Sequence, residues 1–256
     1  MKRCSRARAR GVTLFSTAFD ESAADLLDDI GAPAFKIASF EVIDLPLVAH
    51  VARKGKPMIL STGMAHLGEI HEAVSTARDN GCEQLVLLHC VSSYPATDES
   101  SNVRTVPHLG EAFGVVSGLS DHSLGSAVSV ASIAVGGAVI EKHFTLRRED
   151  GGPDSAFSLE PDEFRQLVLD CKRAWRALGR VSYAIQGCEQ ASKVFRRSLY
   201  AVRDIAAGEP LTPANIRSIR PGHGLAPQML PLVLGSVARE AIARGTALRV
   251  EMFTQA

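Results

Sequence analysis

Nowhere in this 256-residue chain does an apolar run approach the ~18 residues that a membrane-crossing helix needs. Charge of one sign is not in excess either. Lys plus Arg and Asp plus Glu stand at 28 each, so no basic field points to nucleic acid. Cysteine is sparse. Cys4, Cys82, Cys90, Cys171 and Cys188 are odd in number and have no CxxC spacing. That excludes a disulfide framework and reads as reduced thiols in a cytoplasmic protein. A GxGxxG turn is missing as well, and with it the usual mark of a dinucleotide-binding sheet. The start, MKRCSRARARG (1–11), is basic but lacks the apolar stretch of a secretory signal. It reads as a frayed start or, on charge alone, as a basic arm.

What is present is core-forming. Hydrophobic residues make up 46% and charged ones 22%, enough for one large domain or a large one plus a small one. Short β-rich runs at 12–17, 34–39, 57–62, 84–90, 114–120 and 138–143 alternate with stretches of helical spacing that stop at glycine. Strands alternating with helices predict a parallel sheet, and near-continuous apolar strands predict one covered on both faces. Another amphipathic helix follows Pro161. Residues 180–197 have no clear period and read as a linker. Residues 198–256 carry short strands and turn signals, as in a small β-rich domain.

Two folds suit such a pattern, a doubly wound sheet and a (β/α)8 barrel, and the polar residues decide between them. Nearly every predicted strand ends in chemistry: Lys36, Ser39 and Glu41; Ser61 and Thr62; Cys90, Ser92 and Tyr94; Ser120, Asp121 and His122; Glu141 and His143. A barrel collects its site on the C-terminal rim of all its strands, whereas a doubly wound sheet concentrates it at one switch point. The expectation for residues 12–179 is therefore an α/β fold, an incomplete (β/α)8 TIM barrel with six of its eight strands.

His122 and His143 end consecutive strands, which would set them side by side at roughly 5 Å. Two imidazoles there suit a divalent metal completed by water or substrate oxygens; a hydrogen-bonded structural pair is the plainer reading. Asp121 and Glu141 stand beside them. Glu141 and His143 share a strand face, whereas Lys142 points away, as a structural ion-pair partner or a functional cation. Lys36, Ser39 and Ser120 would bring a cation and hydroxyls to the rim, as a phosphate requires, unless Lys36 merely pairs with Glu41. Tyr94-Pro95 is a loop turn, and SLEPDEF a helix start.

These residues lie in motifs that run in order between residues 12 and 235: FSTAFD, FKIASFE, KPMILSTGM, SSYPAT, GLSDHSLG, IEKHFTLRREDGGPDSAFSLEP, RRSLY and SIRPGHGLAP. With them the chain resembles the sialic acid synthase family, which condenses phosphoenolpyruvate with an amino sugar. KIASFE, GGPDSAFSLEP and SIRPG resemble its pseudaminic acid branch; N-acetylneuraminate and legionaminate synthases are the alternatives. The resemblance implies one divalent metal, typically Mn2+ (Mg2+ or Co2+ otherwise), on His122 and His143. It implies phosphoenolpyruvate on Lys36, Ser39 and Ser120, and sugar contacts from Glu41, Tyr94 and Asp154. Glu141 matches an acidic residue beside the metal. Ser92 stands where sialic acid synthases have asparagine. The terminal module resembles an antifreeze-like (SAF) domain, which in the family swaps over the partner barrel of a homodimer, with the arginine matching Arg220 reaching the partner's substrate. The loop 150–157 would close over the sugar. Family members begin with a hairpin and two further strands, on the order of 80–90 residues, bearing an acidic residue and a further lysine. Against that pattern the chain reads as truncated. The expectation is weak or no activity alone: a synthase completed by another polypeptide, or an inactive remnant that binds and dimerises.

Overall fold

A computed structural model describes residues 6, 7 and 9–255; Met1–Ser5 and Arg8, and with them Cys4 and much of the basic start, lie outside the described residues. The chain divides into two compact units, Met1–Arg180 and Val181–Ala256. Among the described residues the first holds six strands: β1 (Ser16–Thr17), β2 (Phe35–Ile37), β3 (Met58–Ser61), β4 (Leu85–Cys90), β5 (Val116–Asp121) and β6 (Val139–Lys142). They pair in sequence order, every pair parallel, in a sheet curled into a half-barrel. The helices are α1 (Glu21–Asp29), α2 (Leu45–Ala52), α3 (Leu67–Asp79), α4 (Thr105–Phe113), α5 (Ala127–Ala134) and α6 (Pro161–Leu178).

Local chemistry sets these elements. Asp20 caps α1 by accepting from Ala23 N at 2.7 Å, and Asp44 caps α2 from Leu47 N at 3.1 Å. His66 and Glu69 form a reciprocal capping box on α3. Gly114 ends α4 at φ 61°, the left-handed conformation that glycine adopts freely. Alternation then divides the strands. Phe35, Ile37, Met58, Leu60, Leu85 and Leu87 pack outward against Val48, Val51, Ala73, Val74 and Leu109 of the helices. The intervening residues face the inside of the curl.

All six predicted strands form, and one is much shorter than expected. Only Ser16–Thr17 of 12–17 pairs, with Phe35–Lys36 of β2, its one neighbour among the described residues. Val12, Leu14 and Phe15 stay exposed.

In the second unit β7 (Ser198–Ala201) pairs antiparallel with β8 (Ile216–Ile219), and β9 (Val237–Ala238) with β10 (Phe253–Thr254). Its own core includes Leu199, Ile205, Leu211, Ile216, Val233, Ile242 and Leu248. The stretch read as a linker is not featureless. Residues Gly187–Phe195 form a 3-10 helix, and Gly222 N donates to Val194 O at 2.9 Å.

Candidate active site

The strands' C-terminal ends converge on a cavity of about 350 Å³, lined by Lys36, Ser39, Cys90, Ser120, His122 and Glu141 among others, with Tyr94 and His143. The register builds it: Cys90 lies opposite Ser120, and Ser120 opposite Glu141. A larger apolar hollow of about 600 Å³ lies elsewhere, between residues 11–16 and the end of α1. It carries none of this chemistry.

Lys36 is the buried cation of the cavity, 6% exposed. Its ammonium donates to Ser61 Oγ at 2.7 Å and to Ile37 O at 3.1 Å, and lies 3.7 Å from Glu141 Oε1. Burial pulls the ammonium below the usual lysine range, against the attraction of Glu141. Glu141 in turn accepts from Ser120 Oγ at 2.6 Å. The alternative reading of Lys36, an ion pair with Glu41, does not form; Glu141 of β6 is the carboxylate beside the ammonium.

The two predicted histidines meet. Their ring centroids are 5.2 Å apart and the planes cross at 67°. His122 Nδ1 lies 2.9 Å from Val91 O and 3.9 Å from Cys90 Sγ. A proton on Nδ1, donated to that carbonyl, leaves the Nε2 lone pair free, which is how ligating imidazoles are held. Burial lowers the basicity of His122, but its bonds to Cys90 and Val91 outweigh that and raise it. Burial and then the charge of His122 push His143 down. His143 Nδ1 lies 3.6 Å from Asp154 Oδ2, an ion-pair distance too long for a hydrogen bond. This donor set fits a divalent cation held by two imidazoles. Among the described residues no third His, Cys, Asp or Glu joins them, so water or substrate oxygens would complete the sphere.

Aromatic rings roof the pair. Tyr94 lies 4.2 Å from His122 between centroids, and Phe157 lies 5.0 Å from His143 and 5.5 Å from Tyr94. The loop 150–157 thus folds back onto the histidines. At the far side Gly63 N donates to Ser39 Oγ at 3.0 Å. A Cβ on Gly63 would lie 2.3 Å from Ser92 Oγ and 2.8 Å from Ser39 Oγ. Glu41 Oε2 and Ser92 Oγ are buried and have no hydrogen-bond partner among the described residues.

Within the first unit some expected residues stand apart. Asp121 is buried and turned away from the cavity, paired with Lys142 at 2.9 Å. That makes Lys142 a structural partner. Arg220 is exposed in the second unit. SLEPDEF is a helix start, with Glu160 as the cap of α6. Cys90, placed on the rim by the sequence but given no role there, lines the cavity. Burial pushes its thiol up, yet His122, Ser39 and Ser120 outweigh burial and leave it below the ordinary range. Its register opposite Ser120 was the signal. Phe157 had none beyond its loop.

Comparison with known proteins follows the same division. The chain matches the NeuB family over residues 2–183 and the SAF domain over residues 196–254. It is 39% identical to the pseudaminic acid synthase of Helicobacter pylori, over 96% of this chain and 72% of that protein. It is 38% identical to the N,N'-diacetyllegionaminic acid synthase of Campylobacter jejuni, over 91% and 70%. Among solved structures, the N-acetylneuraminic acid synthetase of Leptospira borgpetersenii superposes with a TM-score of 0.69 at 34% identity, over 74% of this chain and 66% of that one.

Proposed function

Because the chain belongs to the NeuB family, we propose that it is a nonulosonic acid synthase of the pseudaminic type, condensing phosphoenolpyruvate with a 2,4-diacetamido-2,4,6-trideoxyhexose. In that reaction C3 of phosphoenolpyruvate bonds to the sugar's aldehyde carbon, and the aldehyde oxygen takes up a proton. Water adds at C2, and phosphate leaves by C–O cleavage. The observation that carries this reading is one cavity holding a buried ammonium, hydroxyls and a pair of imidazoles.

Lys36, with Ser39 and Ser120, would bind the phosphoenolpyruvate anion through charge-assisted hydrogen bonds. A divalent cation on His122 and His143, Mn2+ first and Mg2+ or Co2+ otherwise, would supply a Lewis acid for the aldehyde oxygen. Glu141, oriented by Ser120 and Lys36, would move the proton at the reacting oxygen. The buried acceptors Glu41 Oε2 and Ser92 Oγ call for donors, and an amino sugar offers them in its hydroxyl and amide groups. Tyr94 and Asp154 would hold the sugar against the histidines.

The test is phosphate release from phosphoenolpyruvate with the diacetamido sugar and Mn2+, the product followed by mass spectrometry. Sugar-dependent release of phosphate with a nonulosonic acid is the expected result. The absence of both release and phosphoenolpyruvate binding would overturn the reading. One observation favours a second reading for this chain by itself. Its sheet ends at β1 and β6, each with a single neighbour among the described residues, so the curl is open. Binding of phosphoenolpyruvate and Mn2+ without turnover is the signature of that state.

A further inference from the structure

Behind the two histidines lies a second, buried constellation. Asp121 and Lys142 immediately precede His122 and His143, and they are direct partners in the β5–β6 register. Successive residues of a strand point to opposite faces, so the pair sits behind the sheet while the imidazoles face the cavity. Its carboxylate and ammonium are 2.9 Å apart, and each side chain is 1% exposed. Asp121 Oδ1 accepts from Ser123 N at 2.8 Å and from Ser123 Oγ at 2.7 Å; Oδ2 accepts from Ser129 Oγ of α5. Lys142 also donates to the Ser123 carbonyl. One ammonium, on the residue before His143, therefore grips both residues that bracket His122. Ala96 N fastens the His122 carbonyl from another side at 3.0 Å.

Stability does not account for such a pair. A buried ion pair is often no better than well-packed apolar residues of the same volume, because both charges lose their water. What it does supply is directional geometry between two strands at one register position. We propose that Asp121 and Lys142 are positioning residues that fix the separation and ring directions of His122 and His143 for a single divalent cation. The inference rests on the metal reading given above and adds its support on the far side of the sheet. Outer groups that orient ligands contribute about 10–100-fold to metal affinity.

The test uses the full 256-residue chain, Mn2+ for calorimetry and Co2+ as an optical probe whose d–d bands report coordination. Asp121→Asn and Lys142→Met each leave one buried charge unpaired, and loss of the fold is expected of either single variant. The double variant Asp121→Asn/Lys142→Met leaves no unpaired charge and is expected to fold, as judged by circular dichroism and thermal melting. Its Mn2+ affinity should still fall by about 10–100-fold, with weakened and shifted Co2+ bands. A folded double variant with the affinity and spectrum of the parent overturns the proposal. His122→Ala separates the two levels. If Mn2+ binding survives that change, the metal reading itself fails; if it is lost there and kept in the double variant, only the positioning role fails. Ser129→Ala trims the network while sparing the ion pair, and a smaller loss of affinity is expected. Should the double variant not fold, an unchanged Co2+ spectrum in Ser129→Ala counts against the proposal.

Discussion

At Lys36 an ammonium only 6% exposed meets two neutral acceptors and one carboxylate. A charge so placed has given up most of its water and gains by meeting an anion. Lys36→Met should weaken phosphoenolpyruvate binding by about 10–100-fold, the equivalent of losing charged hydrogen bonds of about 1.5–3 kcal/mol. The melting temperature should change little, because the Glu141 carboxylate left behind is 42% exposed and keeps contact with water. Calorimetry and thermal melting check both halves. Gly63 offers a finer probe. A methyl group there would push aside the Ser39 and Ser92 hydroxyls and come within 3.1 Å of Ser39 Cβ, which must give by a few tenths of an ångström. Gly63→Ala is expected to fold normally and to bind phosphoenolpyruvate several-fold less tightly, as titration would show. At this scale the histidine pair was legible in the sequence, since strand parity and adjacency alone place the two rings together. Asp121 was not. Its neighbour in sequence suggested the cavity, but parity sends its side chain to the opposite face, where Lys142 waits.

Among the elements, the segment from β6 to α6 is tied down by electrostatics. Arg148 donates to both carboxylate oxygens of Glu163, one of them at 2.9 Å, and Glu163 also accepts from Glu160 N at the start of α6. The hydrogen bond from Arg148 chiefly, with that from Glu160, lowers Glu163 from 4.5 to about 2. A carboxylate depressed in the folded state contributes stability that is complete above its unfolded value and is lost as pH falls through the folded one. The difference in melting temperature between the parent and Glu163→Gln should therefore be full above pH 4.5 and vanish between 4.5 and about 2. Both side chains are near 40% exposed (39% and 43%), so screening holds the whole effect to less than about 1 kcal/mol. Strand positions were legible because a parallel strand covered on both faces is apolar almost throughout. The extent of β1 was not, because it depends on neighbours and not on composition. Residues 12–15 have strand-like side chains and no partner strand among the described residues.

For the molecule as a whole, the margins of the sheet are apolar. Val12, Leu14, Phe15 and Phe19 are exposed near β1, and Val168, Leu169, Trp175 and Leu178 on α6. Exposed apolar surface beside an edge strand promotes association. Sedimentation velocity is expected to show larger species as the protein concentration rises, and Leu14→Lys/Phe15→Lys should suppress them; a concentration-independent monomer would refute this. No helix among the described residues is long and apolar enough to cross a membrane.

The common direction of β1 to β6 has one more implication. A polypeptide that hydrogen-bonds alongside β1 in parallel must bring its own carboxyl end to the level of Lys36 and the histidines. Whatever segment docks there in that sense would deliver its terminal side chains to the mouth already described, so the polarity of the sheet, more than the identity of the newcomer, decides where added chemistry arrives.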